Sequence, residues 1–167
     1  MGRWLGARQA VLQGDLDAAL SLLEQAEFAE PEPWRCAWYS RGDYDGPTTV
    51  DPDREVSSER AVLLLRKGEN VAALRAFAEA GYWFDTAHVA ERVVSLDELR
   101  AQVDADLLAL LPDDQRDSMK ALLARRIFRS GDPSGAAAYF SDELAEKARL
   151  YESLVDAGTA SVCGMRL

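Results

Sequence analysis

The residues with most chemical potential are carboxylates crowded into one stretch. Asp43, Asp45, Asp51, Asp53 and Glu55 lie within thirteen positions, where oxygen ligands could converge on a calcium ion. The spacing fails an EF-hand loop: Gly46 directly follows the second acid, and no glutamate stands at the closing offset. His88 is the single histidine. With no cysteine or second histidine at ligand spacing, it supports neither a zinc site nor a Cys–His or Ser–His nucleophile. It reads instead as a helix residue near Asp85 and Arg92. Lys120, Arg125, Arg126 and Arg129 form the strongest basic cluster, with 125/129 and 126/129 adjacent on one helix face. A small anion-binding stripe is one reading; the preferred one is a solvated face balancing acids on adjacent helices. No phosphate loop, dinucleotide fingerprint, nucleophile elbow or zincin helix occurs. The expectation is no catalytic residue, no metal and no cofactor.

The scaffold that must position these residues is legible from composition. The chain has 167 residues, of which 48% are apolar and 29% charged, enough for one globular domain with its own core. The 27 Ala and 22 Leu outnumber the 16 Val, Ile and Thr, a bias toward helix because β-branched side chains are stiff there. The net charge of −10 argues against nucleic acid and anionic membranes as main partners. No stretch reaches the roughly 18 apolar residues of a membrane-spanning helix, so no membrane insertion is expected. Met1 to Trp4 run straight into an amphipathic helix, with no signal peptide. That pattern predicts a cytoplasmic chain, or an exported one if it is a fragment of a longer precursor. Cys36 and Cys163 are the two cysteines, and sequence leaves their pairing open.

A pattern recurs around Gly14, Gly68 and Gly131. Seven residues before each stands Ala7, Ala61 or Ala124; one after stands Asp15, Glu69 or Asp132; five after stands Ala19, Ala73 or Ala136. Ala10, Leu64 and Ile127 lie four before, and Leu23, Phe77 and Phe140 nine after. This spacing predicts helical hairpins. The glycine closes the first helix in a left-handed conformation, the acid opens the second, and the alanines sit where two helices cross closely. Helices are predicted over 3–13, 16–28, 58–67, 70–80, 85–94, 96–110, 113–130, 133–140 and 142–157. Ser95 and Glu98 form a capping box, and Pro112 suits a first helical turn.

These residues resemble tetratricopeptide repeats. Gly14-Asp15-Leu16-Asp17-Ala18-Ala19-Leu20 is similar to the glycine-acid-apolar-x-x-Ala-Leu core of that family, and Ala26 and Pro31 stand where it has alanine and proline. The second copy keeps Ala80 but has Asp85 at the proline position, and the third has Glu143 in place of the alanine. The glycines are 54 and 63 residues apart, against the family's period of 34, so insertions separate the units. Gly81 to Val94, followed by Asp97-Glu98-Leu99, is similar to a segment of large uncharacterised bacterial helical-repeat proteins of no agreed activity. The resemblance implies an all-α fold of antiparallel hairpins in a right-handed stack, with inserted helices and one long acidic, aromatic loop. The expected organisation is a single domain over 1–158, with hairpins 3–28, 58–80 and 113–140, inserted helices 85–110, a final helix 142–157 and a tail 159–167.

The loop from Ala29 to Val56 is the most unusual segment. It places Trp34, Trp38, Tyr39 and Tyr44 among Arg35, Arg41 and the carboxylates above. Two readings stand: a recognition loop, since aromatic and arginine anchors dominate interfaces, or tryptophans plugging helix ends. Tyr82-Trp83-Phe84 cannot all face one core, so at least one should be partly exposed. The candidate contacts are Trp34, Arg35, Trp38, Tyr39, Tyr82 and Trp83. The expected function is a protein- or peptide-binding helical-repeat module, with acidity favouring a basic partner. The alternatives are an inhibitory, immunity-type protein neutralising a basic partner, and a structural segment of a larger envelope or scaffold protein. Residues 1–55 carry 11 acids and 5 bases, a net −6, so most of the acidity is in the first hairpin and its loop.

Overall fold

A computed structural model describes residues 2–26, 34–36 and 48–140, with the backbone alone at 34–36 and 48–50. The predicted helix 142–157, the tail, Trp38, Tyr39 and Cys163 lie outside these residues. The described chain is all-helical apart from one short ribbon. Sequence reads it as a single domain; it falls into two compact units, Met1–Tyr82 and Trp83–Leu167.

In the first unit, α1 (Gly2–Leu12) and α2 (Leu16–Glu24) form one hairpin, and α3 (Pro52–Lys67) and α4 (Asn70–Glu79) a second. Between them, β1 (Trp34–Cys36) pairs antiparallel with β2 (Thr48–Val50), Trp34 opposite Val50. The all-loop expectation for 29–56 is therefore corrected twice. It contains a ribbon, and α3 begins at Pro52, six residues before the predicted start. The cause is local: the Asp51 side chain accepts from the Asp53 N–H at 3.0 Å, Pro52 fits the first turn, and Asp53 and Glu55 meet the positive helix end. Three acids that sequence assigns to the long loop thus open a helix.

The second unit contains α5 (Trp83–Arg92), α6 (Leu96–Ala105), a 3₁₀ turn (Leu107–Leu110), α7 (Asp113–Arg129) and α8 (Pro133–Ala137). The predicted helix 96–110 is split, since Ala105 ends α6 before the tighter turn. Ser95 and Glu98 exchange both bonds of a capping box, which holds the Glu98 carboxyl below its ordinary range, the Ser95 hydroxyl being the larger cause.

The repeat glycines have φ of 80° at Gly14, 79° at Gly68 and 94° at Gly131. At each, the glycine N–H bonds three residues back and the following acid's N–H five back, as Asp15 N to Ala10 O at 3.0 Å. This double closure is a Schellman motif. Gly81, φ 72°, closes α4 in the same way and stands outside the sequence pattern. The six pattern alanines, Ala7, Ala19, Ala61, Ala73, Ala124 and Ala136, are each 1% exposed or less, so a larger side chain would have to part the helices. Asp15 and Asp132 cap their helices through Ala18 N at 2.9 Å and Gly135 N at 2.8 Å. Glu69 makes no such cap; it pairs with Lys67 at 2.7 Å, and Lys67 also reaches Asp17 on α2 at 2.8 Å. Those two carboxylates, Asp17 first, hold the Lys67 ammonium above its usual range. No described helix is long and apolar enough to cross a membrane.

Candidate functional site

Arginines set the helix ends from which the surfaces are built. Helix C-termini leave carbonyls without intrahelical partners, and in this chain arginines from other helices supply the donors. Arg3 donates to Gln25 O at the end of α2. Arg54 of α3 donates through Nε to Ala80 O at 2.8 Å and through Nη2 to Gly81 O at 3.2 Å. In the second unit, Arg116 bonds Leu108 O at 2.8 Å and Leu111 O at 3.0 Å. Arg126 bonds Ala90 O, and Val94 O at 3.0 Å. Charged donors at these ends also meet the negative end of the helix dipole. Gly81 also lies close under this guanidinium, since a Cβ there would stand 3.1 Å from Arg54 Nη2 and would have to displace it slightly.

The four residues of the α7 basic cluster have different surroundings. Arg126 is half-buried on the end of α5, Arg129 pairs with Glu91, and Lys120 stands 3.8 Å from Asp117. Only Arg125 of the four lacks a hydrogen-bond or ion-pair partner among the described residues. There is no four-residue anion stripe.

Of the six candidate contacts, Trp34 and Arg35 lie in β1, where only the backbone is described, and Trp38 and Tyr39 lie outside the described residues. Tyr82 is a joint of the first unit: its hydroxyl donates to Glu55 Oε1 at 2.5 Å and Arg54 stacks 5.3 Å from its ring centre. Burial first, then Glu55, raises the Tyr82 phenol above its ordinary range. Trp83 is half-buried. The exposed member of the aromatic triplet is Phe84, at 87%, which the sequence reading does not single out. A signal for it exists: α5 buries Thr86, Val89 and Ala90, so position 84 falls on the opposite side with His88 and Glu91.

Two grooves stand out. In the first unit, α1 and α3 flank a groove of about 470 Å³ whose floor includes Ala7, Val11, Leu23 and Leu63. Leu12, 89% exposed, and Val62, 47% exposed, stand along it. Arg8 pairs with Glu59, which also accepts from Trp4 Nε1 at 2.8 Å, and Arg66 lines the groove without a hydrogen-bond or ion-pair partner among the described residues. Arg8 lies 4.3 Å over the Trp4 ring, and Glu59 raises its guanidinium further. In the second unit, α5 and α7 flank a groove of about 390 Å³ over Ala87 and Leu122, edged by Phe84, His88, Arg92 and Arg125 and by the Glu91–Arg129 ion pair. A third hollow, of about 410 Å³, lies where α8 meets α6 and α7. There the Tyr139 hydroxyl donates to Asp104 at 2.7 Å, and burial, then Asp104, raises that phenol.

Among the described residues no three His, Cys, Asp or Glu side chains gather where they could hold a metal. Compared with family models, curated proteins and solved structures, the chain matches none.

Proposed function

We propose that this chain is a protein- or peptide-binding helical-repeat module with tetratricopeptide-like hairpins and no catalysis of its own. The α1–α3 groove is its principal binding surface. The observation that supports this is Leu12, 89% exposed beside an apolar floor in which the charges of Arg8 and Glu59 answer each other. Covering one such leucine is worth about 1.5–3 kcal/mol, and the groove holds Val62 as a second contact. The partner segment is therefore one that presents two apolar side chains, from a helix or an extended peptide. The net charge of −10 steers basic proteins toward the chain before the apolar contact forms. Trp34, Arg35, Trp38, Tyr39 and Trp83 belong to this reading as secondary contacts.

The test is selection of peptides from a displayed library on the full chain, with affinities measured by calorimetry for the wild type, Leu12→Glu and Val62→Glu. Both positions are exposed, so circular dichroism should be unchanged in the variants. Selected peptides should share an apolar pair and lose about tenfold or more in affinity to either variant, a change of about 1.4 kcal/mol. Peptides that bind all three chains equally, or a library that yields none, would overturn the assignment.

A further inference from the structure

Most arginines in the described residues are committed. Arg3, Arg54, Arg116 and Arg126 hold helix-end carbonyls, and Arg8, Arg60, Arg100 and Arg129 face Glu59, Glu24, Asp132 and Glu91. Among the described residues Arg66, Arg92 and Arg125 have no hydrogen-bond or ion-pair partner. In a chain with 29 acids and 19 bases, arginines with neither a carbonyl nor a carboxylate partner are the minority among those described. Two of these three, Arg92 on α5 and Arg125 on α7, are exposed and edge the same groove. That groove also carries the most exposed aromatic side chain described, Phe84, over an apolar floor of Ala87 and Leu122.

We infer that the α5–α7 groove is a second binding site, for an acidic peptide segment in which carboxylates flank a large apolar side chain. The apolar residue covers Phe84 and the floor, and the carboxylates meet Arg92 and Arg125. The arrangement of charge selects this ligand class over other anions. Arg129 is already held by Glu91, so the groove offers two separate arginines rather than the converging set a polyphosphate favours. The net charge of −10 opposes every anion, so a nucleic acid strand, whose phosphates run on beyond the groove, is penalised along its length. A short segment places its few charges against Arg92 and Arg125 alone. Single carboxylates beside an apolar anchor suit both the two arginines and the exposed ring.

The probe is a fluorescein-labelled Glu-Glu-Phe-Glu-Glu peptide, titrated by anisotropy against the full chain at low and physiological salt. Penta-glutamate, ATP and a short oligouridylate are competitors. The labelled peptide should bind, weaken with salt, and lose about tenfold in affinity to each of Phe84→Ala and Arg125→Glu, about 1.4 kcal/mol per tenfold. Leu12→Glu should leave it unchanged, which separates this site from the α1–α3 groove whether or not that assignment holds. Circular dichroism checks that the variants, all at exposed positions, keep their helices. No binding overturns the inference, as does equal binding of penta-glutamate. Loss of the peptide in Leu12→Glu, or ATP or oligouridylate outcompeting it, overturns the inference too.

Discussion

The α1–α3 region and the α5–α7 region are assembled by one set of rules and finished with opposite surfaces. In each, an arginine from one helix secures the end of another, the exposed Arg54 for α4 and the half-buried Arg126 for α5. In each, a left-handed glycine followed by an acid joins two helices over buried alanines. The surfaces then diverge. The first groove is apolar, with Arg8 and Glu59 paired and Arg66 at its edge, whereas the second carries Phe84 together with Arg92 and Arg125, which have no carboxylate partner among the described residues. Framework residues answer to packing and to helix ends, which leave little choice of side chain. Leu12, Val62 and Phe84 stand exposed in these grooves, so their character points outward to what each groove meets.

A shared framework implies that matched substitutions in the two regions should cost alike. The largest effects belong to the cores. Leu74→Ala and Leu123→Ala each remove a fully buried side chain, and each should cost about 2–5 kcal/mol in urea unfolding. A cost under about 1 kcal/mol for one and not the other would show that one region is loosely packed. Next come the arginines. Arg54→Leu and Arg126→Leu each leave two carbonyls without their donor, and each should cost about 1–3 kcal/mol on the same measurement. The Arg126 change should be the larger if its carbonyls are the better shielded from water.

The smallest effects sharpen the contrast between copies of the hairpin. Asp15→Ala and Asp132→Ala each lose a true cap and should cost about 1 kcal/mol by thermal or urea unfolding. Glu69→Ala loses only the ion pair to Lys67 and should cost at most about 0.5 kcal/mol, fading as salt is raised. Equal losses at all three positions would mean that the acid acts through charge alone and not through the shorter aspartate's reach to the backbone.

Much of the framework was legible in the chain because its determinants are close in sequence. Ala-to-Gly and Gly-to-acid spacings located three of the four left-handed closures, and Ser95 with Glu98 located the start of α6. Gly81 escaped because its neighbours do not carry the full alanine spacing, although its conformation is the same. Asp51, Asp53 and Glu55 misled for a related reason. A row of carboxylates looks alike whether it lines a loop or opens a helix, and Pro52 was the deciding residue that the charge pattern obscured.

The candidate sites were less legible. Tyr82 looked like a contact residue, yet its hydroxyl and ring are engaged by Glu55 and Arg54. Phe84, beside it, is the exposed ring. Likewise, Arg125, Arg126 and Arg129 form a single basic run in sequence, but their partners differ: a groove edge, two carbonyls and Glu91.

Helix identity, helix ends and the small residues at crossings were thus determined by the sequence itself, since caps and left-handed glycines act within five residues. Tertiary structure alone decided which arginine reaches which carbonyl, which carboxylate is answered and which apolar side chain stays in water. Those outcomes depend on long, flexible side chains and on where a second helix lies, and neither is encoded in local spacing.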